Sequence, residues 1–550
     1  MPMKRQGMGI AVLLLIVACG SGPERDDQGT VLPRCGPDDA PLELAGDVSA
    51  ADERSYLLLP FLVPPGVDRI EVGYAWSARE PSDDPLMQTV FDLGLWDADG
   101  PFDAAGFRGW SGSRQGLIER GQEPVFVAAG DAERGYLPGP IEPGRWHVEL
   151  GVAAVTPGGA EYRVIVSCLA AAAADAAQPA QPDLVPPDHV ARDEPGWYHG
   201  DFHLHGHHSH PQAADWNTLV AEARAAGLDF AMLTEYVTSR HWSTLGAVQR
   251  AHPEFLLWPG REVITYFGHA TVFGETPGVI EYRHGFEGIS MAAIQAASKE
   301  AGALFGIAHP TIFPGERFRR FCRGCEYELD DFTDFDQVDT IEVLTGPILV
   351  ESTALGLPGP PRPMENPFVA TAIDYWEDKL RRGHRITAVS GSDAKGVETG
   401  QERELRGYGS SVTAVYADAL SRPALRAAIE AGRAYVRTRG VAGSPELDIW
   451  AVTEAGGRHT FGASIPADQA RLEVTVRGAM GQNLELIRNG ERVAMATIDA
   501  DPFAFVQTIG RSDDAGPLGT FWRVQTRDAV ALTTLGNPVF LSGPNASAGP

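Results

Sequence analysis

The stretch Asp201-Phe202-His203-Leu204-His205-Gly206-His207-His208-Ser209-His210 puts five histidines into the eight positions 203–210 of a chain that holds 15 in all. Its start reads as a strand over 201–204. Residues i and i+2 of a strand point to the same side, so His203 and His205 can reach one metal together. Outward from it, strands alternate with helices. A helix over 216–226 is ended by Gly227, and a strand follows over 229–233. Later come a helix over 289–301 with a strand over 304–308, a strand over 340–344, a helix over 368–382 and a strand over 385–389. Such alternation from Trp197 to about residue 440 predicts a parallel α/β barrel. The carboxyl ends of barrel strands build the active site. Polar residues sit at or beside those ends: Glu262 after the apolar run 255–258, His269 before 270–273, His309 after 304–308, and Asp393 after 385–389. A carboxylate such as Glu262 has two oxygens and can bridge two metals.

The remaining chain divides around this segment. At roughly 100–200 residues per domain, 550 residues predict several domains. Short apolar runs between Gly/Pro turns predict a β-sandwich over 35–169, and the same texture returns over 441–550 as a second one. Residues 170–195 are Ala/Pro-rich and read as a linker to the 196–440 barrel. The net charge of −28 excludes a nucleic-acid binder that works by bulk charge. No apolar stretch after residue 18 is long enough to span a membrane.

Lys4 and Arg5 precede a short apolar run over 10–18, the pattern of an export signal. Ile16-Val17-Ala18-Cys19-Gly20 resembles a bacterial lipobox. That resemblance implies removal of residues 1–18, lipidation of Cys19, a tether over 19–34 and membrane attachment through the lipid anchor, with Gly20 favouring the outer membrane. Four further cysteines in an oxidising compartment suffice for two disulfides. Cys35 and Cys168 bracket the N-terminal sandwich. Cys322-Arg323-Gly324-Cys325 is a lone C-x-x-C, whereas a zinc ribbon needs two such pairs, so a local disulfide is expected.

The ordered motifs H-x-H at 203–205, G-x-E at 260–262, G-H at 268–269, H-P at 309–310 and G-S-D at 391–393 resemble the PHP (polymerase and histidinol phosphatase) metallohydrolases. The match is nearest the CehA/McbA group, named for a carbaryl hydrolase. Stretches 107–112, 135–140 and 532–541 resemble that group's N- and C-terminal β-domains. The resemblance implies a distorted (β/α)7 barrel between β-sandwiches. It implies a two-metal centre in which His203, His205 and Asp393 bind one ion, His269 and His309 the other, and Glu262 bridges. This donor mix suits Zn, Mn or Fe. Three departures stand out: Thr234-Glu235-Tyr236 where many relatives read T-D-H, His210 where they often carry an aspartate, and Lys395 where they carry a histidine. A charged Lys cannot ligate, so the centre is expected to be dinuclear, with the Lys395 ammonium in place of a third ion and Glu235 pairing with it.

Two metals can deliver hydroxide and polarise an ester oxygen. Lys395 or Tyr236 would stabilise the oxyanion or protonate the leaving group. Carboxylic or carbamic esters and amides are the first substrate class, phosphoesters the alternative, and a non-catalytic surface binder the third reading. Arg240, His241, Arg261 and His210 lie near the motifs as substrate contacts. Arg317, Arg319, Arg320 and Arg323 read either as an anion clamp or as a solvated face paired with the acidic run 326–336.

Overall fold

The computed structural model describes residues 31–114, 123–170, 181–211, 213–274, 278, 280–355, 359–397 and 406–543. The expected signal segment 1–18, Cys19, most of the expected 19–34 tether and residues 171–180 of the expected linker lie outside the described residues.

Among the described residues the N-terminal part has eight strands: β1 (Leu42–Val48), β2 (Ser55–Val63), β3 (Arg69–Ala78), β4 (Val90–Trp96), β5 (Phe107–Trp110), β6 (Val125–Ala128), β7 (Gly144–Ala154) and β8 (Ala160–Leu169). They pair as two four-stranded sheets, β1-β8-β3-β6 and β2-β7-β4-β5. Inward residues of both sheets, among them Phe61, Ile70, Leu93, Trp146 and Val164, share one buried core. The cause is period-two alternation: in β8, Val164 and Val166 face in while Glu161 and Arg163 face out. A disulfide joins Cys35 to Cys168, tying the start of the unit to its last strand.

After the short β9 (Val190–Arg192) the central elements follow: β10 (Gly196–Leu204), α1 (Trp216–Ala225), β11 (Phe230–Tyr236), α2 (Leu245–Ala251), β12 (Leu256–Thr265), β13 (Gly268–Phe273), α3 (Met291–Glu300), β14 (Leu304–Ile307), β15 (Thr340–Thr345), a hairpin of β16 (Leu349–Glu351) and β17 (Pro363–Glu365), α4 (Pro367–Arg382) and β18 (Thr387–Gly391). Local chemistry sets the helix ends. The Asp215 carboxylate accepts from the Asn217 and Thr218 N–H groups at the start of α1. Pro367 opens α4, and Gly383 ends it with φ +105°.

Seven strands neighbour one another in the order β10-β11-β12-β13-β14-β15-β18. The regular strand–helix alternation expected from the sequence is broken twice. Strands β12 and β13 form an antiparallel hairpin, closed by Thr265 Oγ1, which donates to the Gly268 carbonyl at 2.8 Å and accepts from the Phe267 N–H at 3.0 Å. Between β14 and β15 the chain crosses through 3-10 turns at Asp330–Phe332 and Phe335–Gln337 instead of an α-helix. The other neighbouring pairs are parallel except β13–β14. The outer strands of this set meet at the ligand-bearing end, where Asp393 N–H donates to the His203 carbonyl at 2.7 Å and His205 N–H to the Ala394 carbonyl at 2.9 Å.

The sheet then continues from β10 through β19 (Val412–Ala417) and β21 (Ala434–Arg437) into the C-terminal part; β20 (Leu420–Ser421) and α5 (Arg422–Glu430) lie between these two. That part comprises β22 (Glu446–Val452), β23 (Arg458–His459), β24 (Ser464–Ile465), β25 (Gln469–Arg477), β26 (Asn483–Arg488), β27 (Glu491–Thr497), β28 (Phe503–Gly510), β29 (Thr520–Arg527), β30 (Leu532–Gly536) and β31 (Val539–Leu541). Strands β30, β29, β26 and β27 prolong the central sheet; β23, β22, β25 and β28 form a separate one. Leu447, Val474, Leu484 and Val524 pack between them. Hydrogen bonding therefore runs unbroken across residue 440. The Asn537 side chain pairs with both backbone groups of Ala388 in β18, at 2.8 and 3.0 Å, bracing the strand that leads to Asp393. Among the described residues no helix is long and apolar enough to cross a membrane.

The N-terminal unit and the central sheet share a core: Tyr56, Trp96 and Phe107 pack with Val263, Tyr266 and Tyr282. At its centre lies a buried ion pair. The Glu149 carboxylate, 0 % exposed, accepts from Trp96 Nε1 at 2.8 Å, the Tyr282 hydroxyl at 2.7 Å and Arg283 at 3.2 Å. Removing one partner strands the other charge away from water. Arg283→Met should lower the unfolding free energy by about 3–5 kcal/mol, read from urea denaturation. A loss below about 1 kcal/mol would mean that apolar packing alone holds the seam.

Candidate metal centre

The carboxylate of Glu262, on β12, is the meeting point. Its Oε1 lies 2.8 Å from His269 Nδ1 on β13 and 3.2 Å from His309 Nε2, just past β14. Its Oε2 lies 3.4 Å from His203 Nε2 and 3.5 Å from His205 Nε2, at the end of β10. Asp393, just past β18, brings Oδ1 to 2.9 Å from His205 Nε2 and 3.5 Å from His203 Nε2. All six residues singled out as metal ligands thus come together. His203, His205 and Asp393 form one group able to hold an ion, and His203, Glu262 and His309 a second, so His203 faces both. The backbone is left-handed at two of the six, His309 (φ 28°) and Asp393 (φ 49°), an unfavourable conformation for residues with side chains.

Burial penalises charge on Glu262, but the imidazoles of His203 and His269 outweigh it and hold its pKa well below the usual carboxylate value. The same holds for Asp393, where Lys395 and His203 overcome burial. His203 is also buried, yet Glu342, Glu262 and Asp393 raise its pKa well above that of free imidazole. His205 differs: burial dominates and lowers its pKa to about 4, leaving it a neutral donor. His203 Nε2 is buried and has no hydrogen-bond partner. An orphaned imidazole nitrogen facing two carboxylates, with three further imidazoles around them, suits a divalent cation of the Zn, Mn or Fe kind.

The sequence reading missed two carboxylates. Glu342 on β15 is buried; its Oε2 is 3.1 Å from His203 Nδ1 and accepts the His309 N–H at 3.0 Å. The lone acid in the apolar run Thr340-Ile341-Glu342-Val343-Leu344 was the available signal. Asp201, 0 % exposed, accepts from the backbone of His203, Ser392 and Gly409 and from the Ser392 hydroxyl. Burial lifts its pKa to about 6 against these donors. It fastens the Asp393 turn to the His203 strand.

Lys395 donates to Asp393 Oδ1 at 2.6 Å, and its Nζ stands 5.9 Å from the centre of the Tyr236 ring. Its expected partner Glu235 points elsewhere: that buried carboxylate accepts from the Ser209 hydroxyl, with the backbone of Gly206, His208 and Ser209 close by. Of the further histidines, His210 lines the cavity described below, while His207 and His208 pack against Trp216 with ring centres 4.9 and 5.9 Å away.

Three expected substrate contacts, Arg240, His241 and Arg261, do not line the cavity described below. Arg240 binds backbone carbonyls of Ala132, Glu133 and Tyr136, joining β11's loop to the N-terminal unit. His241 is buried, with Nε2 2.9 Å from the Gly260 carbonyl oxygen. Arg261 is buried against Trp242 and donates to the Val237 and Gly278 carbonyls. The arginine cluster follows neither expected course in full. Arg319 and Arg320 pair with Glu53 of the N-terminal unit at 3.2 and 2.7 Å, while Arg323 reaches the cavity wall. Cys322 and Cys325 are joined as a disulfide.

The cluster opens into a cavity of about 750 Å³ at the seam between the N-terminal unit and the central sheet. Arg114, Arg134, Arg323 and Lys395 line it, with Glu262, His269, His309 and Asp393. Trp110, Ile264, Tyr266 and Phe321 supply apolar surface.

No family model and no curated protein matches this chain. Among the solved structures that resemble it are two described as metal-dependent phosphoesterases or as containing one. One is a two-domain protein from Bacteroides vulgatus described as containing a PHP-like metal-dependent phosphoesterase: 18% identity over 68% of this chain and 98% of that one, TM-score 0.34. The other, described as a metal-dependent phosphoesterase from Bifidobacterium adolescentis, has 15% identity over 44% of this chain and 96% of that one, TM-score 0.27. Both likenesses are too distant to assign chemistry.

Two measurements test the site. Glu342→Gln should weaken zinc retention against a chelator about 10–100-fold, since it disturbs both His203 and His309; unchanged retention would make Glu342 a bystander. Glu235, with its pKa raised from 4.5 to about 7 chiefly by burial, favours its neutral form when folded. Its contribution to stability is therefore full below pH about 4.5 and is lost as pH rises through about 7, on the order of 3 kcal/mol. The stability difference between wild type and Glu235→Gln should shift against wild type by that amount from pH 4.5 to 8. A difference that does not vary with pH refutes it.

Proposed function

We propose that this protein is a metal-dependent hydrolase of the PHP type that cleaves phosphoesters. One ion would be held by His203, His205 and Asp393, the other by His269 and His309, with Glu262 between them. The observation that carries this reading is the cavity: the imidazole–carboxylate cluster lies at a wall shared with four cationic side chains, Arg114, Arg134, Arg323 and Lys395, in a chain of net charge −28. Cations gathered at one opening of so acidic a protein select an anionic substrate.

Divalent ions at these ligands would polarise the ester and lower the pKa of water. The remaining work falls to the chain. The arginines orient the anion and offset its charge as it approaches. Burial and Asp393 keep Tyr236 protonated against the opposing pull of Lys395, so its hydroxyl can donate a proton to a leaving oxygen. Burial opposes the Lys395 charge, but Asp393, Tyr236 and Glu262 raise its pKa and keep it an ammonium beside the reacting group. Trp110, Ile264, Tyr266 and Phe321 would receive an apolar substituent. That surface favours a second reading, hydrolysis of neutral carboxylic or carbamic esters at the same cluster. Export and anchoring through Cys19 belong to the proposal on the motif at 16–20 alone.

The metal-loaded protein should be assayed on matched aryl phosphate, aryl ester and aryl carbamate substrates. Preference for the phosphate is expected; turnover of the neutral substrates alone would select the second reading. Glu262→Ala should release metal and lower kcat/KM by about a thousandfold or more. Activity that survives that substitution sinks both readings.

A further inference from the structure

The loop Cys322-Arg323-Gly324-Cys325 lies against two of the ligand histidines, on the side away from Glu262. His269 Nε2 is 3.0 Å from the Arg323 carbonyl oxygen, while its Nδ1 faces Glu262 at 2.8 Å. His309 repeats the arrangement with its nitrogens exchanged: Nδ1 is 3.4 Å from the Cys325 carbonyl oxygen and Nε2 faces Glu262 at 3.2 Å. A carbonyl oxygen only accepts, and a neutral imidazole carries one N–H. With a cation bound beside Glu262, each loop carbonyl would therefore take that hydrogen and leave the other nitrogen's lone pair directed at the cation.

Three features hold the loop in place. Gly324 has φ +86°, and a Cβ there would stand 2.1 Å from the Thr265 carbonyl oxygen and 2.9 Å from His269 Nε2, so only glycine permits this approach. The Cys322 N–H donates to the Phe318 carbonyl at 2.9 Å, and the Tyr327 N–H to the Pro310 carbonyl at 2.9 Å, next to His309. The Cys322–Cys325 disulfide closes the loop between these anchors.

We infer that this disulfide loop is a redox-sensitive clamp: Arg323 and Cys325 are positioning residues that fix the tautomers of His269 and His309, and reduction of Cys322–Cys325 loosens their half of the metal centre. The inference rests on the ligand assignment made above. A small dithiol would open the clamp by exchange. One thiolate attacks a cysteine sulfur, and the S–S bond breaks with its electron pair leaving on the other cysteine. The second thiol then closes the reductant's own disulfide, so two electrons and two protons pass to Cys322 and Cys325.

The test uses the full chain with ¹⁵N-labelled histidine, metal-free and zinc-loaded. In metal-free wild type, the N–H hydrogens on His269 Nε2 and His309 Nδ1 should exchange slowly with solvent. In Cys322→Ser/Cys325→Ser, and separately in Gly324→Ala, which keeps both cysteines, they should exchange about tenfold faster or more. Zinc retention against a chelator should fall about 10–100-fold in both variants. Exchange and retention unchanged in both would overturn the clamp. Slow exchange in a wild type that binds no zinc would instead overturn the ligand assignment, and with it the coupling to metal.

Discussion

One buried carboxylate governs the centre. Glu262 is sequestered from water, where an unpaired charge would be prohibitive. Four imidazoles offset it, two at each oxygen, and they come from three different places on the sheet: the end of β10, the start of β13 and the turn after β14. Those elements can converge only if the sheet curls enough to bring β10 beside β18, which it does at the His203–Asp393 backbone contact. Glu342 and Asp201 extend the same logic outward. Each buried acid accepts from donors of the candidate ligand segments, Glu342 through Oε2 and Asp201 through both oxygens, so those segments are held by charge as well as by strand geometry.

The N-terminal unit is part of the site. Its core is continuous with that of the central sheet, and Glu149, Asp92 and Glu53 all bond to residues of the central segment. Trp110, Arg114 and Arg134 close one side of the cavity. The cationic side chains at the opening are therefore assembled from two parts of the chain, which explains how an acidic protein gathers four of them around one cavity. Arg240 contributes to that assembly indirectly, by pinning backbone carbonyls of the N-terminal unit beside the cavity.

What was readable in the sequence is what local spacing encodes. His203 and His205 share a face because strand side chains alternate, and the other four candidate ligands fall beside apolar runs that became β12, β13, β14 and β18. The same alternation explains one misreading. Arg261 adjoins Glu262 along β12 and so projects to the opposite face, into packing with Trp242. Glu235 and Lys395, matched by their motif positions, point to different partners, Ser209 and Asp393. The missing helix between β14 and β15 and the contribution of the N-terminal unit to the cavity depend on contacts between distant residues. Spacing carries no record of these.

Both sheets of the N-terminal unit consist wholly of strands that precede residue 170, and the apolar cluster packed between them includes only residues of that same segment. A ribosome makes this portion before the first ligand histidine emerges, and domains tend to fold in that order during synthesis. The central sheet, by contrast, remains incomplete until β30 and Asn537 have been added. The newborn chain thus passes through a long interval in which a finished wall waits for its floor. During that interval the apolar face of Tyr56, Trp96 and Phe107 is left uncovered, the surface on which a chaperone would be needed most.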